Sequence, residues 1–93
     1  MALQPDGMET LVGEVLSVKG ECSAGHKAGD VFHLGCWDTG GICGFFYHDI
    51  FPNISVLQFG GGYPWAAQGE LILECPDRYN AVTMRLRKRR EDE

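Results

Sequence analysis

The stretch LILECPDRYNAVTMRL, residues 71–86, decides the fold because two apolar runs flank a turn. The first run is short, continuous and bounded by glutamates, which is typical of a buried strand. After the turn, every second residue from Val82 to Leu86 is apolar, as on one side of a β pleat. The pattern predicts an antiparallel hairpin in which residues 71–75 pair with residues 80–87.

Further strands are predicted upstream of this hairpin. Residues 11–19 alternate in part, with Val12, Leu16 and Val18 on one side, and residues 31–34 form a short strand-like run. Together with the helices described next, these runs predict the α+β class. We expect a small antiparallel or mixed β-sheet with one or two short helices packed on it.

The helix candidate covers residues 42–50. Its apolar residues recur at helical spacing and form one stripe, made of Ile42, Phe45, Phe46 and Ile50. Pro52 is expected to end this helix because proline cannot donate a backbone hydrogen bond. A second short helix is predicted over residues 54–59.

Composition places the chain among small globular proteins. Its 93 residues are 44% hydrophobic, enough for one modest core, and 13 glycines indicate many turns. We expect a lead-in over residues 1–10, one domain over residues 11–88 and a charged tail over residues 89–93. No signal peptide and no apolar run of the roughly 20 residues that span a bilayer is visible. We therefore expect a cytoplasmic protein with reduced cysteines and no membrane contact.

The net charge of −5 is unevenly distributed along the chain. Residues 1–84 carry ten acidic and three basic side chains, whereas residues 85–93 carry three acidic and five basic ones. An acidic body repels phosphate backbones, so we expect no nucleic-acid partner. The basic run between Arg85 and Arg90 is interpreted as a solvated strand end and tail.

Cysteine and histidine supply the candidate metal ligands. Zinc takes four such donors in a tetrahedron, often from closely spaced pairs. Three residues separate Cys22 from His26, and two separate His33 from Cys36, which permits a site without specifying one. The pool of donors is Cys22, Cys36, Cys43, Cys75, His26, His33 and His48. Packed free thiols and surface histidines are the alternative interpretation.

Cys43 is also a candidate thiolate. It lies in the first turn of the predicted helix, where free amides and the helix dipole favour negative charge. This setting lowers a cysteine pKa and creates a nucleophile or redox thiol. His26 or His48 could serve as the base, and His26 is favoured because His48 lies off the face of Cys43. A cysteine that simply packs in the core is the alternative.

Aromatic residues near the glycine-rich loop predict a ligand pocket. Glycines allow the backbone to approach a ligand, and aromatic rings supply an apolar wall. The pocket candidates are Trp37, Phe46, Tyr63 and Trp65. An aromatic interface between copies of the chain explains Trp65 equally well.

Taken together, the motifs resemble a family of short, mostly uncharacterised microbial proteins. The motifs are the turn CSAGHKAGDVF at residues 22–32, the GIC helix start at 41–43, the loop GGGYPW at 60–65 and the turn CPD at 75–77. The resemblance covers roughly residues 12–88. It implies a pattern of Cys22, Cys43 and Cys75 with His26 nearby, and it leaves out Cys36 and His33.

Three functional hypotheses follow from these observations. The first is a small binding module in which Cys22, Cys43, Cys75 and His26 hold a small ligand or a soft transition metal such as zinc or iron. The second is a thiol-dependent enzyme or redox protein that uses Cys43, with His26 as the base. The third is an interaction protein that forms a homo-oligomer through its aromatic loop.

Overall fold

The computed structural model of the chain describes residues 9–66 and 69–90. Within these residues the elements, in chain order, are β1 (Leu11–Val18), β2 (Val31–Leu34), α1 (Gly44–Gln58), β3 (Glu70–Glu74) and β4 (Val82–Lys88). The strands form a four-stranded sheet in the order β2-β1-β4-β3, and each neighbouring pair is antiparallel. The helix packs on one face of this sheet. The predicted α+β class is therefore confirmed.

The predicted hairpin is formed by β3 and β4. Leu71 lies opposite Leu86, and Leu73 lies opposite Met84. Val82, Met84 and Leu86 are buried in the core, as the alternation predicted. Because β4 also pairs with β1, it is a central strand of the sheet. β3, which was predicted to be a buried strand, lies at the edge and exposes Ile72.

The core-facing residues of β1 differ from the prediction, which put Val12, Leu16 and Val18 on one side. Leu11 and Val15 pack in the core, and Leu16 is exposed. The pairing with β4 is irregular immediately after Val15, where one extra residue enters β1. An extra residue reverses the alternation of the strand, and this bulge brings Val18 against the core.

Gly13, in the middle of β1, faces the core. A Cβ atom built on it would lie 2.7 Å from Sδ of Met84 and 3.1 Å from Cδ2 of Leu34. The position thus has no room for a side chain, because its neighbours fill that space.

α1 runs through Pro52, so the prediction of two helices divided at this residue is wrong. The helix has 15 residues, and its buried side chains form one stripe that continues past the proline, made of Phe46, Ile50, Ile54 and Leu57. Pro52 cannot donate to the carbonyl of His48. Both residues are exposed, so water can bind that carbonyl while the buried stripe holds the helix on the sheet.

The predicted helical stripe is correct at three of its four residues. Phe46 and Ile50 are buried within α1, and Ile42 is buried just before it. Phe45 is 62% exposed, because α1 begins at Gly44 and turns this ring away from the sheet.

The face of the sheet opposite α1 carries charged side chains. Arg85 on β4 lies 3.1 Å from a carboxylate oxygen of Glu14 on β1 and 3.8 Å from one of Glu70 on β3. These side chains are between 37% and 41% exposed, so each ion pair adds little to stability. Arg87, which was predicted to point outward, lies on the same face but is buried.

The first strand begins at Leu11 and the last strand ends at Lys88. Residues 1–8 of the predicted lead-in and residues 91–93 of the predicted tail lie outside the described residues. Among residues 9–66 and 69–90, no helix has the length and apolar character that crossing a membrane requires.

Replacing Pro52 by alanine should stabilise the chain. Alanine restores a donor for the His48 carbonyl and removes the ring from the helix interior, where proline costs about 3 kcal/mol relative to alanine. The unfolded chain has more conformational entropy with alanine than with proline, which reduces the gain in stability by up to about 1 kcal/mol. We therefore expect a net increase of about 2 kcal/mol in the free energy of unfolding. Urea denaturation measures it, with Pro64→Ala in the aromatic loop as the control. A loss of stability in Pro52→Ala would show that α1 needs the proline ring.

Candidate functional site

Three cysteines from separate segments line one cavity of about 160 Å³. Cys22 follows β1, Cys43 directly precedes α1, and Cys75 directly follows β3. Phe45 and Asp77 are also in the lining. We call this space the thiol cavity.

The antiparallel sheet brings two of these cysteines to the same end. Val18, the last residue of β1, lies opposite Val82, the first residue of β4. The backbone N–H of Cys75 donates to the carbonyl of Val82 at 2.8 Å, which extends the hairpin by one residue beyond β3. The loop that holds Cys22 therefore starts beside the end of the turn that holds Cys75.

Asn80 ties this loop and this turn together. Its Oδ1 accepts from the backbone N–H of Glu21 at 3.1 Å, and its Nδ2 donates to Oδ2 of Asp77 at 3.0 Å. The other carboxylate oxygen of Asp77 accepts from the backbone N–H groups of Tyr79 and Asn80. These donors hold the pKa of the Asp77 carboxyl below its ordinary value, with the Asn80 side chain as the largest cause. The turn thus forms a fixed wall of the cavity.

Cys43 occupies the cap position of α1, one residue before the first helical turn in which it was predicted. Two glycines with positive φ, Gly40 at 66° and Gly41 at 97°, turn the chain into this position. The side chain of Cys43 makes no capping hydrogen bond. It is therefore available to the cavity.

His26 supports this helix start through the backbone. Its buried ring lies edge-on to Phe32, and its Nε2 accepts from the backbone N–H of Cys43 at 3.2 Å. A ring nitrogen that accepts a hydrogen bond uses its lone pair to do so. The one lone pair that a neutral imidazole offers as a base is thus engaged by the backbone and not by the thiol.

The structure brings together the three cysteines of the implied constellation and leaves His26 beside them. His26 lies in an adjoining hollow of about 300 Å³, and Cys22 contributes to both spaces. Within residues 9–66 and 69–90, no three side chains of histidine, cysteine, aspartate or glutamate are grouped as a shared metal ion would require. The four donors of a tetrahedral zinc or iron site are thus not assembled there.

Burial sets the acidity of the deepest thiol. Cys75 is 7% exposed, and burial raises the pKa of its thiol, partly offset by a hydrogen bond from the backbone of Asp77. Negative charge on Cys43, on Asp77 and, least strongly, on Cys22 raises that pKa further. Three thiolates in this space therefore repel one another.

Cys36 and the other histidines lie outside the thiol cavity. The backbone N–H of Cys36 donates to Oε1 of Gln58 at 2.7 Å, near the end of α1. Burial raises the pKa of the Cys36 thiol, and a hydrogen bond with Ser55 lowers it in part. His33 on β2 and His48 on α1 are exposed.

The four predicted pocket residues occupy three different places. Phe46 is fully buried in the core. Trp37 contacts the edge of Phe59, with the ring centres 6.1 Å apart. Tyr63 and Trp65 stack at 4.9 Å, and Trp65 is 76% exposed beside a hollow of about 460 Å³ at the β3 edge. They do not line one ligand pocket.

Two contributors to the site were not anticipated from the sequence. Asn80 was assigned to the start of a strand, although an asparagine three residues after the turn aspartate is typical of a side chain that bonds nearby amides. Phe45 was assigned to the core, and only the start of α1 at Gly44 shows that its ring borders the cavity.

Comparison with known proteins gives no match to a protein-family model, a curated protein or a solved structure. The resemblance stated from the motifs therefore stays a prediction, and the candidate site is argued from its geometry.

His26→Ala should destabilise the chain. It removes the acceptor for the Cys43 N–H and the ring that packs on Phe32. Leaving one such donor unpaired costs about 1–3 kcal/mol in free energy of unfolding. Denaturant unfolding measures this loss, with His33→Ala on the exposed side of β2 as the matched control. Equal, small effects of the two changes would contradict the capping role.

Stability should fall at alkaline pH because of Cys75 and Cys36. The pKa of each thiol is raised by burial above the 9.0 of a free thiol. Well below that pH both thiols are protonated in the folded and the unfolded chain, so they add no pH dependence. Above it the unfolded chain loses these protons first, and the free energy of unfolding falls.

Urea unfolding under reducing conditions, from about pH 7 to about pH 10, measures this slope. We expect the double variant Cys36→Ala, Cys75→Ala to show a smaller decline above the free-thiol pKa, whatever its absolute stability. An unchanged slope would refute the assignment.

Proposed function

We propose that this chain is a small binding module that holds a thiophilic ligand in the thiol cavity. The observation that carries the proposal is the convergence of Cys22, Cys43 and Cys75 on one cavity of about 160 Å³. Each comes from a different segment, so their meeting is a property of the fold and not of local spacing.

The charge of the lining supports a soft cationic ligand. The residues of the lining that titrate are the three cysteines and Asp77, which are all acids. Among the described side chains of the lining, an anion would meet negative or neutral groups, whereas a thiophilic cation would relieve the repulsion between thiolates. The chain as a whole is also negatively charged, with a net charge of −5, which favours a cation as the ligand.

The geometry gives less support to a thiol-dependent enzyme. A general base must offer its lone pair to the thiol, but that of His26 accepts from the Cys43 backbone. The raised pKa of Cys75 also keeps that thiol in its unreactive form. Binding requires neither a base nor a free nucleophile.

A cytoplasmic location belongs to the same proposal, because a reducing compartment keeps such thiols available. Assembly of copies through Trp65 remains a separate hypothesis, and the site does not depend on it.

Titration of the reduced chain with Cd²⁺ tests the proposed function. Cadmium thiolates absorb in the ultraviolet, so the signal reports binding by cysteine directly. We expect the wild-type chain to bind one ion and Cys22→Ser, Cys43→Ser and Cys75→Ser to weaken it. Cys36→Ser is the matched control, since Cys36 lies outside the cavity. A signal that the cavity variants leave unchanged, or that Cys36→Ser removes equally, would refute the proposal.

A further inference from the structure

Resting on the proposed function, we propose that the thiol cavity binds one monovalent soft metal ion, Cu(I), through the sulfur atoms of Cys43 and Cys75. The proposed function leaves the kind of ion open. The number, identity and surroundings of the donors favour Cu(I).

The number of donors separates Cu(I) from zinc and iron. Zinc and iron sites of this type use four ligands, and the described residues do not group even three donors closely enough for a shared ion. Cu(I) prefers sulfur and is satisfied by two or three thiolates in linear or trigonal geometry. Two converging thiols therefore suffice for Cu(I).

The side chains around the cavity identify the primary pair. Cys75 is almost fully buried at the hairpin end, so its sulfur lies at the deep side of the cavity. Cys22 also borders the adjoining hollow beside His26, whereas Cys43 faces the thiol cavity that Cys75 lines. Cys22 lies on the loop after β1 and is partly exposed, and the described residues group no three donors closely enough to share an ion.

The remaining lining favours a low-charge ion without a water shell. Asp77 directs its carboxylate to Asn80 and Tyr79 and is engaged by these donors, so it frames the cavity without acting as a ligand. Phe45 and Val82 supply apolar surface. The start of α1 at Cys43 adds partial positive charge that offsets the extra negative charge of a Cu(I)–dithiolate.

Binding exchanges protons for metal and transfers no electrons. Each coordinating thiol loses its proton to solvent as a copper–sulfur bond forms, and copper stays in the Cu(I) state. No oxidant, reductant or third reactant is needed.

Anaerobic competition with a coloured Cu(I) chelator such as bicinchoninate tests the inference. We expect the wild-type chain to withdraw one Cu(I) ion from the chelator, and excess Zn²⁺ not to return it. Loss of a residue that only orients a ligand already costs about 10–100-fold in metal affinity, so Cys43→Ser and Cys75→Ser should each cost at least about 100-fold. Cys22→Ser should cost less, and Cys36→Ser should bind as the wild type does.

Cys43→Ser decides the outcome even if the buried Cys75→Ser variant does not fold. Cys43 is half-buried at the cap position of α1, where serine is a favoured capping residue, so the serine variant should unfold at the same temperature as the wild type or at a higher one. Cu(I) affinity unchanged in Cys43→Ser, or lost equally in Cys36→Ser, overturns the inference.

A comparison of the two ions separates this inference from the proposed function. Cavity-dependent binding of Cd²⁺ without binding of Cu(I) overturns the choice of ion and leaves the binding module intact. Failure of both ions to bind overturns both proposals.

Discussion

The pairing of β1 with β4 at the centre of the sheet is the constraint on which the remaining structure depends. At the centre of this pairing Gly13 has no side chain, and the sulfur of Met84 occupies the space that a Cβ would need. Met84 then joins the same buried cluster as the stripe of α1. A bulge immediately after Val15 completes the fit by returning the end of β1 to the core.

The same pairing assembles the candidate site. It places the end of β1 beside the start of β4, and therefore the Cys22 loop beside the Cys75 turn. The contact between His26 and the Cys43 backbone attaches the start of α1 to the loop that follows Cys22. In the unfolded chain these cysteines lie far apart in sequence, so a ligand that needs all of them binds only the folded state. Such binding stabilises the fold by mass action.

The sequence predicted the structure best where its apolar pattern is local and periodic. The hairpin of β3 and β4 follows from apolar alternation, and its two strands lie close to the predicted ranges. The predicted helix end at Pro52 was wrong because the buried apolar stripe of α1 continues on both sides of the proline. The prediction of which β1 residues share one side was wrong because β1 contains a bulge. The bulge depends on how the partner strand packs, and the residues of β1 alone do not show it.

The site could be predicted only in part for the same reason. Turn residues beside Cys22, Cys43 and Cys75 placed these thiols at element ends, and the resemblance grouped them. Their meeting depends on strand register, which no motif encodes. The role of His26 was missed because its ring accepts a hydrogen bond from a backbone group 17 residues away. The aromatic residues were grouped by type, although Phe46 belongs to the core and Trp65 to the surface.

The edge position of β3 has a consequence for how copies of the chain meet in solution. Its five residues, ELILE, place Ile72 at the centre, 60% exposed, with Glu70 and Glu74 at the two ends. If two such edges paired antiparallel about Ile72, Glu70 of each copy would face Glu74 of the other. Like charges directly opposite each other across strands are destabilising. The glutamates therefore disfavour pairing between copies of the chain along the edge of β3.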